Sequence, residues 1–443
     1  MRAWMAAAAV AVGAAAFLAY GGGFPNTDAS WTVVWGRELL HLDAPSFAAG
    51  ATPHPLPNLL GVVAAAVHPA SEPVLLVAGY LAVGALVVGA FALARELFGV
   101  AAGVLAALLV FTRDTLLFYG ALAYLDVLFA ALVIWAVALE AARPRRGVPV
   151  LIVLAVAGLV RPEAWLLAGA YWLYARPPGR GAVLLVLAPP VLWAAHDLLL
   201  TGDPAFSFTT TTEATGRSGR PSGLEGVFVE LPRDVARTAR PDVCLAGVLG
   251  LVAAWRAGRF ALLSGALVAS TVATAIPVLA GTPMNDRYLM VTMALLCVAA
   301  AAPVALLREH GGWRLAGAAG LALLVAGAAF QAPRLADRRA DVVDRKTRRA
   351  DARAALDPGV PCRPVVLPNN RLIPVVASWL DAPISQVLDG RGGVPPGSYL
   401  WGTDAAMKNL VVVEGRAGGV AAAPSAPVVR RSGGWTLTAR CGR

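Results

Sequence analysis

Long apolar runs separated by short polar gaps fill the first three quarters of the chain. A helix that crosses a bilayer needs about 20 mainly apolar residues. Eleven runs approach this pattern, and they cover residues 3–20, 73–94, 99–112, 117–139, 148–160, 163–174, 182–200, 241–255, 260–280, 288–307 and 313–330. Two of them are short and meet at Arg161-Pro162-Glu163, so we expect a tilted helical pair there. The pattern predicts a mainly α, polytopic membrane protein with about 11 transmembrane helices.

Composition agrees with a membrane protein. Of the 443 residues, 58% are hydrophobic and 14% are charged, whereas about 25% of a typical soluble domain is charged. The formal net charge of +10 would suit a nucleic-acid partner. However, the positive charges lie mostly in short gaps between apolar runs, where they set topology. We therefore predict the lipid bilayer as a partner and no nucleic acid.

Arginines in alternate gaps predict how the chain is oriented. They stand at positions 2, 95, 143, 145, 146, 176, 180, 256, 259, 308 and 314. Eleven spans place all of them on the cytoplasmic side, as the positive-inside rule requires. The other face then holds residues 21–72, 112–124, 161–163, 201–240 and 281–287, and everything after Phe330. Nearly all the basic residues are arginine, as in proteins of high-GC bacteria. Together with the predicted topology, this bias predicts a multi-pass protein of the bacterial inner membrane.

The first outer loop, residues 21–72, contains the main candidate for chemistry. It places Asp28 after Pro25-Asn26-Thr27, just beyond the first apolar run. Asp28 is a candidate general base, and the structural alternative is a helix cap supplied by Thr27 or Asp28. His54 lies on the same loop. Asp28 with His54 or Glu163 could hold a divalent cation, although no clustered metal-ligand motif is present.

Further ionisable residues lie at the predicted outer rim. A charged side chain in or near a membrane is energetically costly, so each of these residues is a candidate for function. Arg287 offers a planar fork of donors suited to phosphate oxygens. Its alternative roles are an interfacial anchor or a partner for Asp286. Arg161 and Glu163 either pair with each other or reach into the outer cavity. The remaining candidates for the cavity are Asp126, Asp286 and Tyr288.

The C-terminal part, residues 333–443, is predicted to be a small extracytoplasmic α/β domain that follows a transmembrane domain of residues 1–332. Its pattern indicates a charged helix at 334–356, a second helix at 372–381, and strands at 364–368, 398–402, 410–414 and 435–440. Cys362 and Cys441 could form a disulfide there, and the sequence leaves this open. Loop 201–240 is expected to be irregular apart from a short helix near 227–237.

Five stretches together resemble the GT-C superfamily of integral-membrane glycosyltransferases. They are NTDASWTVVWGRELL at 26–40, ATPHPLPNLL at 51–60, AGLVRPEAWLLAGAYWLY at 157–174, TGDPAFSF at 201–208 and NDRYLM at 285–290. The resemblance covers nearly the whole chain and implies transfer of a sugar from a polyprenyl-phosphate donor. It implies that Asp28 is the base for an acceptor hydroxyl and that Arg287 contacts the donor phosphate. Arg161 is a second candidate for the phosphate contact. Many members have two adjacent acids in this loop, whereas Asp28 is flanked by Thr27 and Ala29.

We therefore expect an inverting glycosyltransferase of the cell envelope, acting on a glycan, lipid or protein acceptor. A single base and direct displacement would invert the anomeric carbon. The alternative from another class is a polytopic transporter or lipid flippase. Transporters tend to show inverted repeats and charge at mid-membrane, whereas the polar residues here gather on one predicted face. A third reading is a scaffold that works through residues 333–443.

Overall fold

The computed structural model describes residues 3–50, 53–218, 220–411 and 419–442. Helices make up most of it. The first half contains α1 (Ala3–Tyr20), α2 (Thr27–Leu40), α3 (Pro55–Ala66), α4 (Ser71–Phe98), α5 (Val100–Phe111), α6 (Asp114–Ala121), α7 (Asp126–Ala142), α8 (Val148–Gly158), α9 (Glu163–Ala175) and α10 (Arg180–Thr201). The second half contains α11 (Phe206–Ser218), α12 (Gly223–Glu225), α13 (Leu231–Ala239), α14 (Pro241–Arg256), α15 (Phe260–Leu279), α16 (Met290–Ala301), α17 (Pro303–Leu306), α18 (Gly312–Leu356), α19 (Ile373–Trp379) and α20 (Asp404–Met407).

Several helices are long and apolar enough to cross a membrane. Within the described ranges six qualify by length and composition, or up to eight when each of two bent helix pairs counts as one span. The predicted runs at 117–139, 148–160 and 163–174 overlap α7, α8 and α9, which have 17, 11 and 13 residues. The break at Arg161-Pro162 between α8 and α9 is present as expected. The protein is polytopic, and the count of 11 spans stays a prediction.

The N-terminal cap of helix α2 is not Thr27 or Asp28, as the sequence suggested, because the helix already begins at Thr27. The cap is Asn26, whose side-chain oxygen accepts hydrogen bonds from the backbone N–H groups of Asp28 at 2.7 Å and Ala29 at 3.2 Å. The Asn26 amide in turn donates to the carbonyl of Leu122 at 2.8 Å. The cap prediction was therefore wrong by one or two residues. Because Asn26 satisfies the helix start, the Asp28 carboxylate is available for another contact.

Glycines allow α2 and α3 to touch backbone to backbone. A Cβ placed on Gly61 of α3 would lie 1.8 Å from the carbonyl oxygen of Thr32, and one on Gly36 would lie 2.2 Å from the carbonyl carbon of Gly61. Any larger residue would force the helices apart, as at other small-residue helix contacts. This close approach fixes the helix that carries Asp28 against the helix that follows His54.

The segment 201–240 is more regular than expected. The helix predicted near 227–237 is present, as a π-helical turn at Gly226–Glu230 followed by α13. The Thr-rich stretch was expected to be irregular, but it forms α11. Threonine hydroxyls there bond to carbonyls four residues back, for example Thr210 to Phe206 and Thr211 to Ser207 at 2.7 Å. These local bonds satisfy hydroxyls that would otherwise compete with the helix.

The C-terminal domain contains a five-stranded sheet in the order β2-β1-β3-β5-β4. The strands are β1 (Val365–Leu367), β2 (Val387–Asp389), β3 (Gly397–Gly402), β4 (Val428–Ser432) and β5 (Trp435–Arg440). β1 pairs in parallel with β2 and β3, whereas β5 pairs antiparallel with β3 and β4. β1, β3, β5 and α19 lie where the sequence predicted them, and β2 and β4 were missed. Of the strand predicted at 410–414, residues 412–414 lie outside the described residues, and 410 and 411 form a turn.

The 45-residue helix α18 connects the apolar helices to this domain. It runs without interruption through the boundary that the sequence suggests at 332/333. Cys362, just before β1, forms a disulfide with Cys441, just after β5. The disulfide therefore joins the two ends of the sheet domain.

The C-terminal domain is docked directly on α2. Arg37 of α2 donates hydrogen bonds to the carbonyls of Ala377 and Ala382 and to the carboxylate of Asp381. At the start of α2, the Thr27 hydroxyl donates to the carbonyl of Arg371 at 3.1 Å. The helix with Asp28 is therefore held from one side by α3 and from the other by the C-terminal domain.

Candidate functional site

Asp28 and Arg287 meet in space although 259 residues separate them in sequence. The Arg287 guanidinium donates from Nη1 to Oδ2 of Asp28 at 2.8 Å. Asp28 lies in the first turn of α2, and Arg287 lies in a 3₁₀ turn, Asp286–Leu289, that leads into α16. The side chain of Asp28 is 46% exposed and that of Arg287 is 19% exposed. The acid therefore faces the open side of the pair.

Behind this pair the charges continue to alternate. Asp126, at the start of α7, contacts Arg161 and also lies 4.0 Å from Nη1 of Arg287. Arg161 forms a second ion pair with Glu163 at 2.9 Å. The result is a column of five charges, Asp28, Arg287, Asp126, Arg161 and Glu163. Since buried charges are stable only when paired, each charge in the column depends on its neighbours.

Two tyrosine rings line the cationic part of the column. The Arg161 guanidinium lies 4.3 Å from the ring centre of Tyr288, and that of Arg287 lies 5.5 Å from the same ring. Arg287 also lies 5.0 Å from the ring centre of Tyr124. The electron-rich ring faces attract these cations. Both guanidiniums are thus held on aromatic surfaces that leave part of their hydrogen-bonding capacity for a ligand.

Asp286, which the sequence offered as a partner for Arg287, contacts other residues in the described structure. It accepts a hydrogen bond from the hydroxyl of Tyr119 at 2.5 Å and pairs with Arg237 of α13 at 3.2 Å. These contacts hold the 3₁₀ turn between α6 and α13. Asp286 therefore fixes the turn that presents Arg287.

His54 lies close enough to share the electrostatic field of the site. Burial, with the charge of Arg161 next in importance, lowers the pKa of His54 to about 3. The ring packs edge-on against Trp193, with 5.1 Å between ring centres. His54 is therefore neutral at physiological pH, and it is not a cation for an anionic substrate.

The pKa of Asp28 reflects opposing effects. Partial burial would raise it, but the charge and hydrogen bond of Arg287 lower it, and the charge of Arg371 acts in the same direction. The net result is a pKa below the usual range. Asp28 is consequently ionised at neutral pH, and Arg287 holds its carboxylate.

Several polar atoms around the column are buried without a hydrogen-bond partner in the described structure. They are Nε of Arg287, Oε2 of Glu163, Nδ1 of His54 and Nδ2 of Asn285. Buried polar atoms in proteins are normally paired with protein or water. The site thus offers unused donors and an acceptor to a polar ligand.

The arrangement of potential metal ligands among the described residues does not indicate a metal site. The described residues contain no group of three or more His, Cys, Asp or Glu side chains arranged to hold a metal ion. Asp28 with His54 or Glu163, the cation site considered from the sequence, is not part of such a group. The paired arginines instead favour recognition of an anion.

A buried network that the sequence did not reveal fixes the loop of His54. The Asp197 carboxylate accepts from the backbone N–H of Ser207 at 2.9 Å and lies 3.1 Å from Nδ1 of His196. The Ser207 hydroxyl is 3.1 Å from the carbonyl of Pro53. The TGDPAFSF stretch, which ends with Ser207 and Phe208, was the only signal of this role. Its position beside Pro53 depends on contacts across 154 residues of sequence.

The apolar helices and the small sheet domain docked on α2 together define a polytopic membrane protein. Two solved structures are similar over nearly their whole length. The structure of ArnT from Cupriavidus metallidurans in the apo state aligns with a TM-score of 0.60 at 14% identity, covering 97% of this chain and 97% of that one. The structure of the same protein bound to undecaprenyl phosphate aligns with a TM-score of 0.56 at 15% identity, covering 98% of this chain and 97% of that one.

No protein-family model matches the chain, and no curated protein sequence matches it significantly. At 14–15% identity, the two structures establish the fold. The mainly α, polytopic fold with a small C-terminal α/β domain, which the resemblance to the GT-C superfamily implied, is therefore confirmed.

Proposed function

We propose that this protein is an inverting membrane glycosyltransferase that moves a sugar from a polyprenyl-phosphate donor to an acceptor hydroxyl. The observation that carries the proposal is the meeting of Asp28 and Arg287 at one partly open site. The shared fold with a protein solved in complex with undecaprenyl phosphate supports a lipid phosphate as the donor carrier. The sugar and the acceptor stay open, with a glycan, lipid or protein hydroxyl as the acceptor classes.

Arg287 and Arg161 are the proposed ligands of the donor phosphate. A guanidinium binds phosphate oxygens through two parallel N–H donors, and the Nε of Arg287 has no partner among the described residues. Both arginines are anchored by Asp126 and by the ring of Tyr288. Their charges would stabilise the phosphate as it leaves.

Asp28 is the proposed general base. Its carboxylate takes the proton of the acceptor hydroxyl while the acceptor oxygen forms a bond to the anomeric carbon. The bond from that carbon to the phosphate oxygen breaks, and the lipid phosphate leaves with the electron pair. Attack opposite the leaving group inverts the configuration. The protein holds the reactants in line and supplies one base, so no nucleotide is required.

Replacing Arg287 by Gln tests the donor assignment. The variant should bind undecaprenyl phosphate about 10- to 100-fold more weakly, because charge-assisted hydrogen bonds are lost. Binding can be measured with the purified protein in lipid nanodiscs. Arg256→Gln is the matched control, since Arg256 pairs with Glu309 at the far end of α14. Equal affinity of the Arg287 variant and the wild type would contradict the donor site.

We also propose that the site and the C-terminal domain face away from the cytoplasm, in the inner membrane of a bacterium. The Cys362–Cys441 disulfide supports this, because disulfides persist in oxidising compartments. In a variant without Cys244 and Cys297, an impermeant maleimide should label intact spheroplasts only after an impermeant reductant is added. Labelling that requires lysis of the cells would place the domain inside.

A further inference from the structure

Arg287 has two tasks that compete. Its Nη1 donates to Asp28 at 2.8 Å, yet the proposed donor phosphate needs the same guanidinium. An arginine has five N–H donors in a fixed plane, and the donor that bonds Asp28 cannot also bond a phosphate. The observed pair therefore keeps the Asp28 carboxylate engaged and leaves only part of the Arg287 guanidinium for a phosphate.

We propose that the Asp28–Arg287 ion pair is a latch opened by the donor: the lipid phosphate takes Arg287 from Asp28 and so releases the carboxylate to act as base. This inference rests on the proposed function and adds its regulation. Donor binding would precede productive acceptor binding. The acceptor hydroxyl would lose its proton only when a sugar is in place to be transferred.

The surroundings of Arg287 allow it to change partners without losing its position. After release from Asp28 the guanidinium still has Asp126 at 4.0 Å and the rings of Tyr124 and Tyr288. Asp28 is the more exposed partner, so its carboxylate can turn toward an acceptor at little cost. The ion pair can therefore open by a side-chain movement, without displacing a helix.

The chemistry of the carboxylate also favours a latch. A carboxylate that is bound to a guanidinium is a poor base because protonation would break the pair. Three charged or titratable groups face Asp28 from different elements: Arg287 from the turn before α16, Arg371 from the C-terminal domain and His54 from the loop before α3. When Arg287 moves to a phosphate, its effect is lost while that of Arg371 remains. The basicity of Asp28 would rise, and the group would stay ionised until the acceptor arrives.

The decisive test is the affinity for undecaprenyl phosphate, measured on the full chain in nanodiscs without acceptor. Asp28→Asn should bind this lipid roughly 5- to 50-fold more tightly than the wild type, because the phosphate no longer competes with a carboxylate. In an Arg287→Gln background the same Asp28→Asn change should have no effect. Such a double-mutant cycle isolates the coupling between the two side chains.

Loss of negative charge could tighten binding by itself, so a charge-matched control is needed. Asp43→Asn removes an exposed carboxylate from the same outer loop, beyond the end of α2. The latch predicts tighter binding for Asp28→Asn and no comparable gain for Asp43→Asn. Unchanged thermal unfolding of each variant would show that the fold is retained.

The outcomes separate the latch from the donor assignment. Unchanged affinity of Asp28→Asn, with weaker binding by Arg287→Gln, would overturn the latch and leave the donor site intact. Tighter binding by Asp28→Asn that persists in the Arg287→Gln background would overturn the latch in favour of general repulsion. If the wild type does not bind the lipid, the donor assignment and the latch both fall.

Discussion

Asp28→Asn is expected to lower sugar transfer by about 10²- to 10⁴-fold, the usual contribution of a positioned general base. Asn keeps the shape of the side chain but cannot accept the proton of the acceptor. Folding should be preserved, because Asn26 caps α2 and the Asp28 side chain is 46% exposed. The latch predicts in addition that the inactive variant binds the lipid phosphate more tightly.

Transfer can be followed in proteoliposomes that contain total lipids and acceptors extracted from the source membranes. Mass spectrometry would measure the loss of polyprenyl-phosphate sugars and the gain of free polyprenyl phosphate. Asp43→Asn is a suitable control, since Asp43 is an exposed acid in the same loop, beyond the end of α2. If Asp43→Asn strongly lowered sugar transfer while Asp28→Asn left it normal, Asp43 and not Asp28 would be the general base.

The sequence contained enough information to bring the main site residues together. Apolar run lengths and the alternation of arginines placed Asp28, His54, Arg161 and Arg287 on one predicted face, and the structure gathers them in one cluster. Such patterns are informative because bilayer thickness and loop charge constrain a membrane chain far more than hydrophobicity constrains a soluble one. The structure establishes that these residues are close, and their chemical roles remain proposals.

Features that depend on tertiary contacts could not be predicted in this way. Asn26 caps α2 in preference to Thr27 because its amide also bonds to Leu122, 96 residues away. Arg371 influences Asp28 only because the C-terminal domain docks on α2. β2 and β4 are short, and β4 has no clear alternation of buried and exposed residues. Such features depend on packing and leave little local pattern in the sequence.

Helix α11 shows the opposite error, in which a local pattern misled. Its four consecutive threonines, at positions 209–212, suggest a poor helix former. The structure makes them helical, with their hydroxyls bonded to carbonyls three or four residues back. Asp197 also accepts the backbone N–H of Ser207 in the first turn. Asp197 belongs to α10, so a residue of another helix stabilises the start of α11. Helix propensities, which describe single residues, do not include such a contact.

Asp126→Asn is expected to have the largest effect on stability, about 3–5 kcal/mol, because it removes the shared partner of two arginines from a buried position. The Asp126 side chain is 6% exposed and lies between Arg161 and Arg287. Without its charge, the two guanidiniums face each other across a neutral amide. Glu163 would still pair with Arg161, so the loss should fall toward the lower end of the range. Thermal unfolding in detergent, followed by tryptophan fluorescence, would show a lower midpoint.

The matched control is Asp381→Asn, which removes an acid from an exposed pair. Asp381 binds Arg37 at 3.0 Å with its own side chain 63% exposed, and pairs of this kind contribute about 0–1 kcal/mol. Arg37 also keeps its bonds to the carbonyls of Ala377 and Ala382. If Asp126→Asn shifted the unfolding midpoint no more than Asp381→Asn, the buried column would not be an interdependent set. Arg287 would then hold its position without Asp126, and the anchoring that we assign to this acid in donor binding would fail with it.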